Sequence, residues 1–165
     1  MEVFRDTVSP VLSGLSDTLL TCDPGAIRLN VNTADNSRTY VFQWSSQSGA
    51  PITNANMANP LIDFADTFFV SVTDVSNGCQ TGESLVVSLD TLTPLAQIAP
   101  VPLLDCQRRS FDLDARGSDQ GPSITIDWQV SNGGNISANL GSLQPTINAG
   151  GTYTLTVRDT LNGCG

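Results

Sequence analysis

The sequence predicts an all-β chain built from two tandem β-sandwich modules. Three observations carry this. The composition is rich in Thr, Ser, Asn, Asp and Gly, with 9 Pro and only 14% charged residues, which does not suit helices. Turn residues punctuate the chain every 8–12 positions, the mark of a sandwich or barrel. A triplet of Cys22, Trp44 and Cys79 recurs as Cys106, Trp128 and Cys164, at offsets of 84, 84 and 85 residues.

The duplication extends well beyond the triplet. LLTC ending at Cys22 matches LLDC ending at Cys106. Pro60–Cys79 (PLIDFADTFFVSVTDVSNGC) aligns without a gap to Pro145–Cys164 (PTINAGGTYTLTVRDTLNGC), with 8 identical positions. The single extra residue falls between Trp128 and Pro145, where a loop absorbs it. Upstream, Val3-x-x-Asp6-Thr7-Val8-Ser9-Pro10 matches Val87-x-x-Asp90-Thr91-Leu92-Thr93-Pro94. Residues 1–10 therefore read as the last strand and linker of a preceding repeat, 11–94 as repeat 1, and 95–165 as repeat 2 without its last strand. The whole reads as a slice of a longer tandem array.

Within repeat 1, strands are expected near 11–15, 26–32, 39–45, 67–73 and 84–90. Ile27, Leu29 and Val31 alternate with polar residues, as do Tyr40, Phe42 and Trp44, and then Phe68, Val70 and Val72. One face of each strand is buried and the other wet. Repeat 2 shows the same pattern at Phe111, Leu113 and Ala115, at Ile124, Ile126 and Trp128, and at Tyr153, Leu155 and Val157. Asn77-Gly78 and Asn162-Gly163 lie between strand patterns and read as tight hairpin turns. Seven or so short strands with a Trp on the third suggest an immunoglobulin-like sandwich, with Trp44 and Trp128 in the core.

Composition also excludes functions. The formal net charge is -9, and there is no His and no Lys, all seven basic residues being Arg. Histidine-ligated metals, His-dependent nucleophiles, Schiff bases and the P-loop Lys are all excluded, as are Lys–Asn isopeptide cross-links. The acidic balance argues against nucleic acid and anionic membrane surfaces. No apolar run reaches the roughly 18–20 residues of a membrane span, and Met1–Pro10 does not look like a signal peptide. No nucleophile–base pair is present, so the chain reads as non-catalytic.

The order LTC, alternating strand, W(S/Q), P-x-(I/V), (T/Y)-x-V-x-V-x-D-x-x-NGC, V-x-x-DT-x-x-P resembles the PKD-like or immunoglobulin-like repeats of Bacteroidota cell-surface proteins. Such repeats occur in very large adhesins, gliding-motility adhesins among them, exported by type IX secretion. The resemblance covers nearly the whole chain. It implies an extracellular location at a bacterial cell surface and a structural or adhesive role. The partners it implies are neighbouring repeats or copies of the same protein, and surface glycans. No cofactor is implied.

Four cysteines in two copies of one spacing, with no His, argue for disulfides over zinc. Three connectivities are possible, and two arrangements stand out. Intramodular bonds, Cys22–Cys79 and Cys106–Cys164, would each close a loop of about 58 residues, worth about 4 kcal/mol in the chain-entropy model. In an immunoglobulin sandwich, however, the two turns involved lie at opposite ends. Head-to-tail stacking would instead bring Cys22 near Cys164 and turn Cys79 and Cys106 toward other repeats.

Other candidates are weaker. Asp112, Asp114 and Asp119 cluster in DLDARGSDQG, the kind of loop that binds Ca²⁺ in extracellular β-modules; chance acidic surface is the plainer reading. Asp74 and Asp159 follow the main strand in both copies and are expected to accept backbone hydrogen bonds in the turn. The resemblance adds possible O-glycosylation at Thr7, Thr18, Thr91 and Thr160, each in an Asp-Thr-aliphatic triplet. The loops SSQSGAPITNANM and SNGGNISANLGS hold no aromatic residue, which weakens a carbohydrate-binding reading. A filament subunit joined by strand exchange is the further alternative, because the extra N-terminal strand and the missing last strand are complementary.

Overall fold

A computed structural model describes residues 1–165. The chain is all-β and divides into two compact units, Met1–Asp90 and Thr91–Gly165. No helix is long and apolar enough to cross a membrane.

The first unit contains β1 (Leu12–Ser13), β2 (Thr18–Thr21), β3 (Ile27–Arg28), β4 (Asn32–Thr33), β5 (Tyr40–Ser46), β6 (Leu61–Ile62), β7 (Asp66–Asp74) and β8 (Gln80–Asp90). One layer is the four-stranded sheet β2-β8-β7-β5; the other comprises the short pairs β1-β4 and β3-β6. Between β3 and β4 the ladder continues through Leu29 N–H to Pro60 O and Val31 N–H to Ala58 O. The strand expected over 26–32 thus runs as one edge, broken only in its pairing. All of β5, β7 and β8 pair antiparallel, whereas β2 runs parallel to β8.

The alternating residues meet between the layers. Leu20, Leu29, Val31, Trp44, Ile62, Phe68, Val70, Val72, Leu85 and Val87 form the core. Each such side chain contributes roughly 1.5–3 kcal/mol of transfer free energy. Trp44 is buried, and its indole N–H donates to Met57 O at 2.9 Å, so the ring fills space without stranding a polar atom.

The second unit contains β9 (Phe111–Asp112), β10 (Ile124–Ser131), β11 (Asn135–Ala138), β12 (Thr146–Ala149) and β13 (Thr152–Asp159). Its sheets are β10-β13 and β11-β12-β9. Its core is smaller: Leu113, Ala115, Trp128 and Ile147, flanked by half-buried neighbours such as Leu104, Tyr153 and Leu155. Trp128 N–H donates to Ser142 O at 2.9 Å, the counterpart of the Trp44 bond.

Two expectations change. The Asn-Gly turns are five-residue loops (75–79 and 160–164), closed by Gly78 N–H to Asp74 O and Gly163 N–H to Asp159 O, both 2.8 Å. A two-residue type I′ turn needs positive φ at both central residues. Here Gly78 and Gly163 have φ 71°, while Asn77 and Asn162 do not adopt positive φ. The strand expected within residues 1–10 does not form either. That segment is exposed, and no strand pairs with it.

Candidate functional site

The most constrained polar region is the loop after the main strand, repeated in both units. Asp74 is 1% exposed. Its Oδ1 accepts from Ser76 N–H (2.8 Å) and Ser76 Oγ–H (2.6 Å), and its Oδ2 accepts from Arg38 Nη1 at 2.6 Å. The Ser76 hydroxyl, then Arg38, hold the Asp74 carboxyl down to about 2. The Arg38 guanidinium is pushed up, first by Asp74.

Arg38 does more than neutralise Asp74. Nη1 also reaches Asp6 at 3.0 Å, and Nε reaches Asp35 at 3.2 Å. The Val8 N–H, then the Asn77 amide, lower Asp6, and the Ser37 hydroxyl, then its N–H, lower Asp35. Asn77 Nδ2 donates to Val8 O at 2.9 Å, and Thr81 Oγ1 donates to Pro10 O at 2.7 Å. The arrangement clamps residues 6–10 onto the 75–79 loop. Ser76 Oγ donates to Asp74 Oδ1, and the other oxygen of that carboxylate is taken by Arg38. Chemically it is a fastening.

Half of this fastening is duplicated. Asn162 Nδ2 donates to Leu92 O at 3.0 Å, and Leu92 is the repeat counterpart of Val8. Cys79 N–H donates to Asn77 Oδ1 and Cys164 N–H to Asn162 Oδ1, at 2.8 and 2.9 Å. The expected role of Asp74 and Asp159 holds: Asp159 Oδ1 accepts from Leu161 N–H at 2.9 Å. The arginine clamp is not duplicated, because Pro122 stands at the place of Arg38 and Leu161 at that of Ser76. Sequence reading missed Arg38. Its signal was its isolation as the one cation between Arg28 and Arg108 in a strongly acidic stretch.

The cysteines divide unequally. Cys22 and Cys164 are disulfide-bonded; Cys79, half-buried, and Cys106, exposed, are free thiols. Each unit therefore holds one oxidised cysteine and one free one. Intramodular pairing, the first of the two arrangements above, is corrected by this, and the register gives the reason. Thr21 lies opposite Asp90, so Cys22 follows the C-terminal end of β8; Cys79 immediately precedes its first residue, Gln80. At roughly 3.3 Å per residue, those ends are about 33 Å apart, while a disulfide tolerates only about 4.4–6.8 Å between Cα atoms.

The remaining candidates are dispersed. Asp112 accepts from Thr146 Oγ1 (2.6 Å) and Asp119 from Leu95 N–H (2.8 Å). Asp114 takes a two-pronged contact from Arg116, at 3.0 and 2.8 Å, and that guanidinium first, then the Arg116 N–H, bring it down to about 2. No group of three or more acidic or cysteine side chains is placed to hold a metal ion. Thr7, Thr91 and Thr160 are exposed and Thr18 is half-buried; Thr160 Oγ1 donates to Ser123 O. The one outward aromatic on the four-stranded sheet is Phe69, beside a shallow depression of about 600 Å³ that includes Gln43, Ser45 and Glu83.

No protein-family model matches the chain, and no curated protein sequence matches it. Among solved structures it is similar to a chimeric titin Z1Z2-Z1Z2 tandem functionalised with a GRGDS peptide from fibronectin, with 16% identity, 93% of both chains covered and a TM-score of 0.33. It is similar also to the titin I-band fragment I67-I69, with 14% identity over 97% of this chain and 61% of that one and a TM-score of 0.34. An E-to-A variant of I67-I69 matches at 14% identity over 95% and 60%, with a TM-score of 0.33. The chain thus spans about three-fifths of the I67-I69 fragments. Likenesses at this level carry no inference about what the chain does. The immunoglobulin-like assignment rests on its own strands, layers and buried Trp.

Proposed function

We propose that this chain is a non-catalytic structural segment of a large extracellular surface adhesin, whose oxidised cysteines staple successive modules into a stalk. The observation that carries this is the duplication of fastenings together with the split of the cysteines. The Trp44/Trp128 and Asn77/Asn162 bonds recur at nearly equal lengths. A chain under selection for chemistry keeps a reactive constellation; this one keeps its turn anchors. A disulfide fits an oxidising compartment, which supports the extracellular placement, and the motif order supports the bacterial surface origin.

Thiol counting tests the reading. The unfolded, unreduced protein is expected to yield two titratable thiols per chain, at Cys79 and Cys106. Four thiols after purification from an oxidising compartment would contradict the staple. Binding of glycans through the face around Phe69 is the weaker reading, since one exposed aromatic on a flat sheet offers little stacking surface.

A further inference from the structure

The dipeptide Asn-Gly occurs at Asn77-Gly78, Asn132-Gly133 and Asn162-Gly163. This pair is chemically labile wherever it can move. Gly has no side chain to hinder its own nitrogen, and its backbone rotates readily. That nitrogen can therefore attack Cγ of the preceding Asn. The fold gives the three pairs very different freedom to do so.

At Asn77 every atom involved is tied. Gly78 N–H donates to Asp74 O at 2.8 Å. Asn77 Oδ1 accepts from Cys79 N–H at 2.8 Å, and Nδ2 donates to Val8 O at 2.9 Å. Asn162 repeats the set. Gly163 N–H donates to Asp159 O at 2.8 Å, Oδ1 accepts from Cys164 N–H at 2.9 Å, and Nδ2 donates to Leu92 O at 3.0 Å. Attack at either site must first break these hydrogen bonds.

Asn132 is placed differently. It and Gly133 are exposed, at the centre of a turn over residues 131–134. Both have positive φ, 54° and 84°, as a type I′ turn requires. The bond that closes the turn runs from Gly134 N–H to Ser131 O, so Gly133 N–H takes no part in it. The Asn132 side chain is held by one bond, from Nδ2 to Thr152 Oγ1 at 3.0 Å. In the first unit Ser48-Gly49 stands at this place, and Asp66 Oδ2 accepts from Ser48 N–H (3.0 Å) and Oγ–H (2.6 Å). Gly151 is the counterpart of Asp66, so the second turn has no such carboxylate.

We propose that Asn132 is a spontaneous modification site of the folded chain, converting through a cyclic imide to aspartate and isoaspartate, while Asn77 and Asn162 are preserved. Gly133 N gives its proton to hydroxide and bonds to Asn132 Cγ. The Cγ–Nδ2 bond breaks, and Nδ2 leaves as ammonia. Water then opens the ring. Cleavage between Gly133 N and Cγ yields aspartate. Cleavage between Gly133 N and the Asn132 backbone carbonyl yields isoaspartate, with the chain running through Cβ and Cγ. Overall one water enters and one ammonia leaves.

The packing makes isoaspartate consequential. The turn lies directly on Gly151, where an added Cβ would stand 2.2 Å from Gly134 N and 2.8 Å from Ser131 O. Tyr153 abuts Gly134, where an added Cβ would meet Cζ at 3.0 Å. Tyr153 Oη accepts from Asn135 N–H at 2.8 Å and donates to Ala149 O at 2.6 Å. An extra backbone carbon in so close a contact displaces the turn from Tyr153. The second unit thus carries an ageing site, whereas the duplicated fastenings protect the labile pairs they contain.

The test incubates the whole chain in warm, mildly alkaline buffer, native and in urea. After reduction, cleavage at arginine puts the three pairs on separate peptides: residues 39–108, 117–158 and 159–165. Mass spectrometry reads the loss of amide, and isoaspartyl methyltransferase labels isoaspartate. In the native chain Asn132 is expected to convert more than about tenfold faster than Asn77 or Asn162, whose hydrogen bonds must first open. In urea the three are expected to convert at like rates. Asn132→Ser, the residue of the first unit, is expected to remove isoaspartate from 117–158. Amide exchange at Asn135 is expected to quicken in the converted chain. A native Asn132 that stays intact overturns the proposal, as does Asn77 or Asn162 keeping pace with it. So does a rate difference that persists in urea, because flanking sequence would then explain it. Isoaspartate persisting in Asn132→Ser, or unchanged exchange at Asn135, contradicts it equally.

Discussion

Arg38 Nη1 lies 2.6 Å from Asp74 Oδ2 across 36 residues of sequence, joining the start of β5 to the end of β7. The ion pair is nearly closed to water on the carboxylate side, at 1% exposure for Asp74 against 27% for Arg38. Because Arg38 also holds Asp6, one guanidinium secures both the sheet end and the entering chain.

Acid is expected to weaken this ion pair. Asp74 is held at about 2 against an ordinary value of 3.8. A carboxylate lowered in the folded state contributes its full stabilisation above the unfolded value and loses it as the pH falls through the folded one. The melting temperature is therefore expected to drop between about pH 4 and pH 2, and Asp74→Asn is expected to flatten that drop while lowering stability at pH 7. Thermal melts from pH 7 to pH 2 check this; identical profiles for wild type and variant would contradict it.

The tryptophans are large buried side chains in each core. Trp44→Ala is expected to cost about 3–5 kcal/mol, because the cavity is walled by packed β5, β7 and β8 neighbours. Trp44→Phe keeps much of the volume but strands the Met57 carbonyl, at about 1–3 kcal/mol. Urea titration separates the two effects.

Asn162 is buried at 3% exposure and serves both Leu92 O and Cys164 N–H. Asn162→Ala is expected to cost about 1–3 kcal/mol and to speed amide exchange at Cys164, whose partner is removed. Asn162→Asp keeps the acceptor for Cys164 N–H and is expected to keep that protection.

Calcium is expected to leave the melting temperature unchanged. Asp114 is occupied by Arg116, and Asp112 and Asp119 serve Thr146 and Leu95. A rise of several degrees at millimolar Ca²⁺ would show that these contacts open to the ion.

Much of the fold was legible because its determinants are local and duplicated. Alternation placed Trp44, Phe68, Val70 and Val72 inside, and two copies of Asn-Gly-Cys marked the same loop twice. What escaped was non-local. β2 has four residues and one buried side chain, Leu20, too short for periodicity to register, and it is a strand only because β8 lies beside it. Its copy, Pro102–Asp105, forms no strand, leaving Leu103 87% exposed. Residues 1–10 carry a strand pattern and no sheet. The Arg38 clamp was hidden because its partners lie 3, 32 and 36 residues away, with no counterpart in the second unit. The cysteine split was legible only as one of two open arrangements, until the register of β2 on β8 set Cys22 and Cys79 at opposite ends of one strand.

A peptide map of the unreduced protein, alkylated before digestion, tests the central claim most directly. The account expects alkylated Cys79 and Cys106, with Cys22 and Cys164 recovered only in disulfide-linked form. A Cys22–Cys79 or Cys106–Cys164 peptide would contradict it.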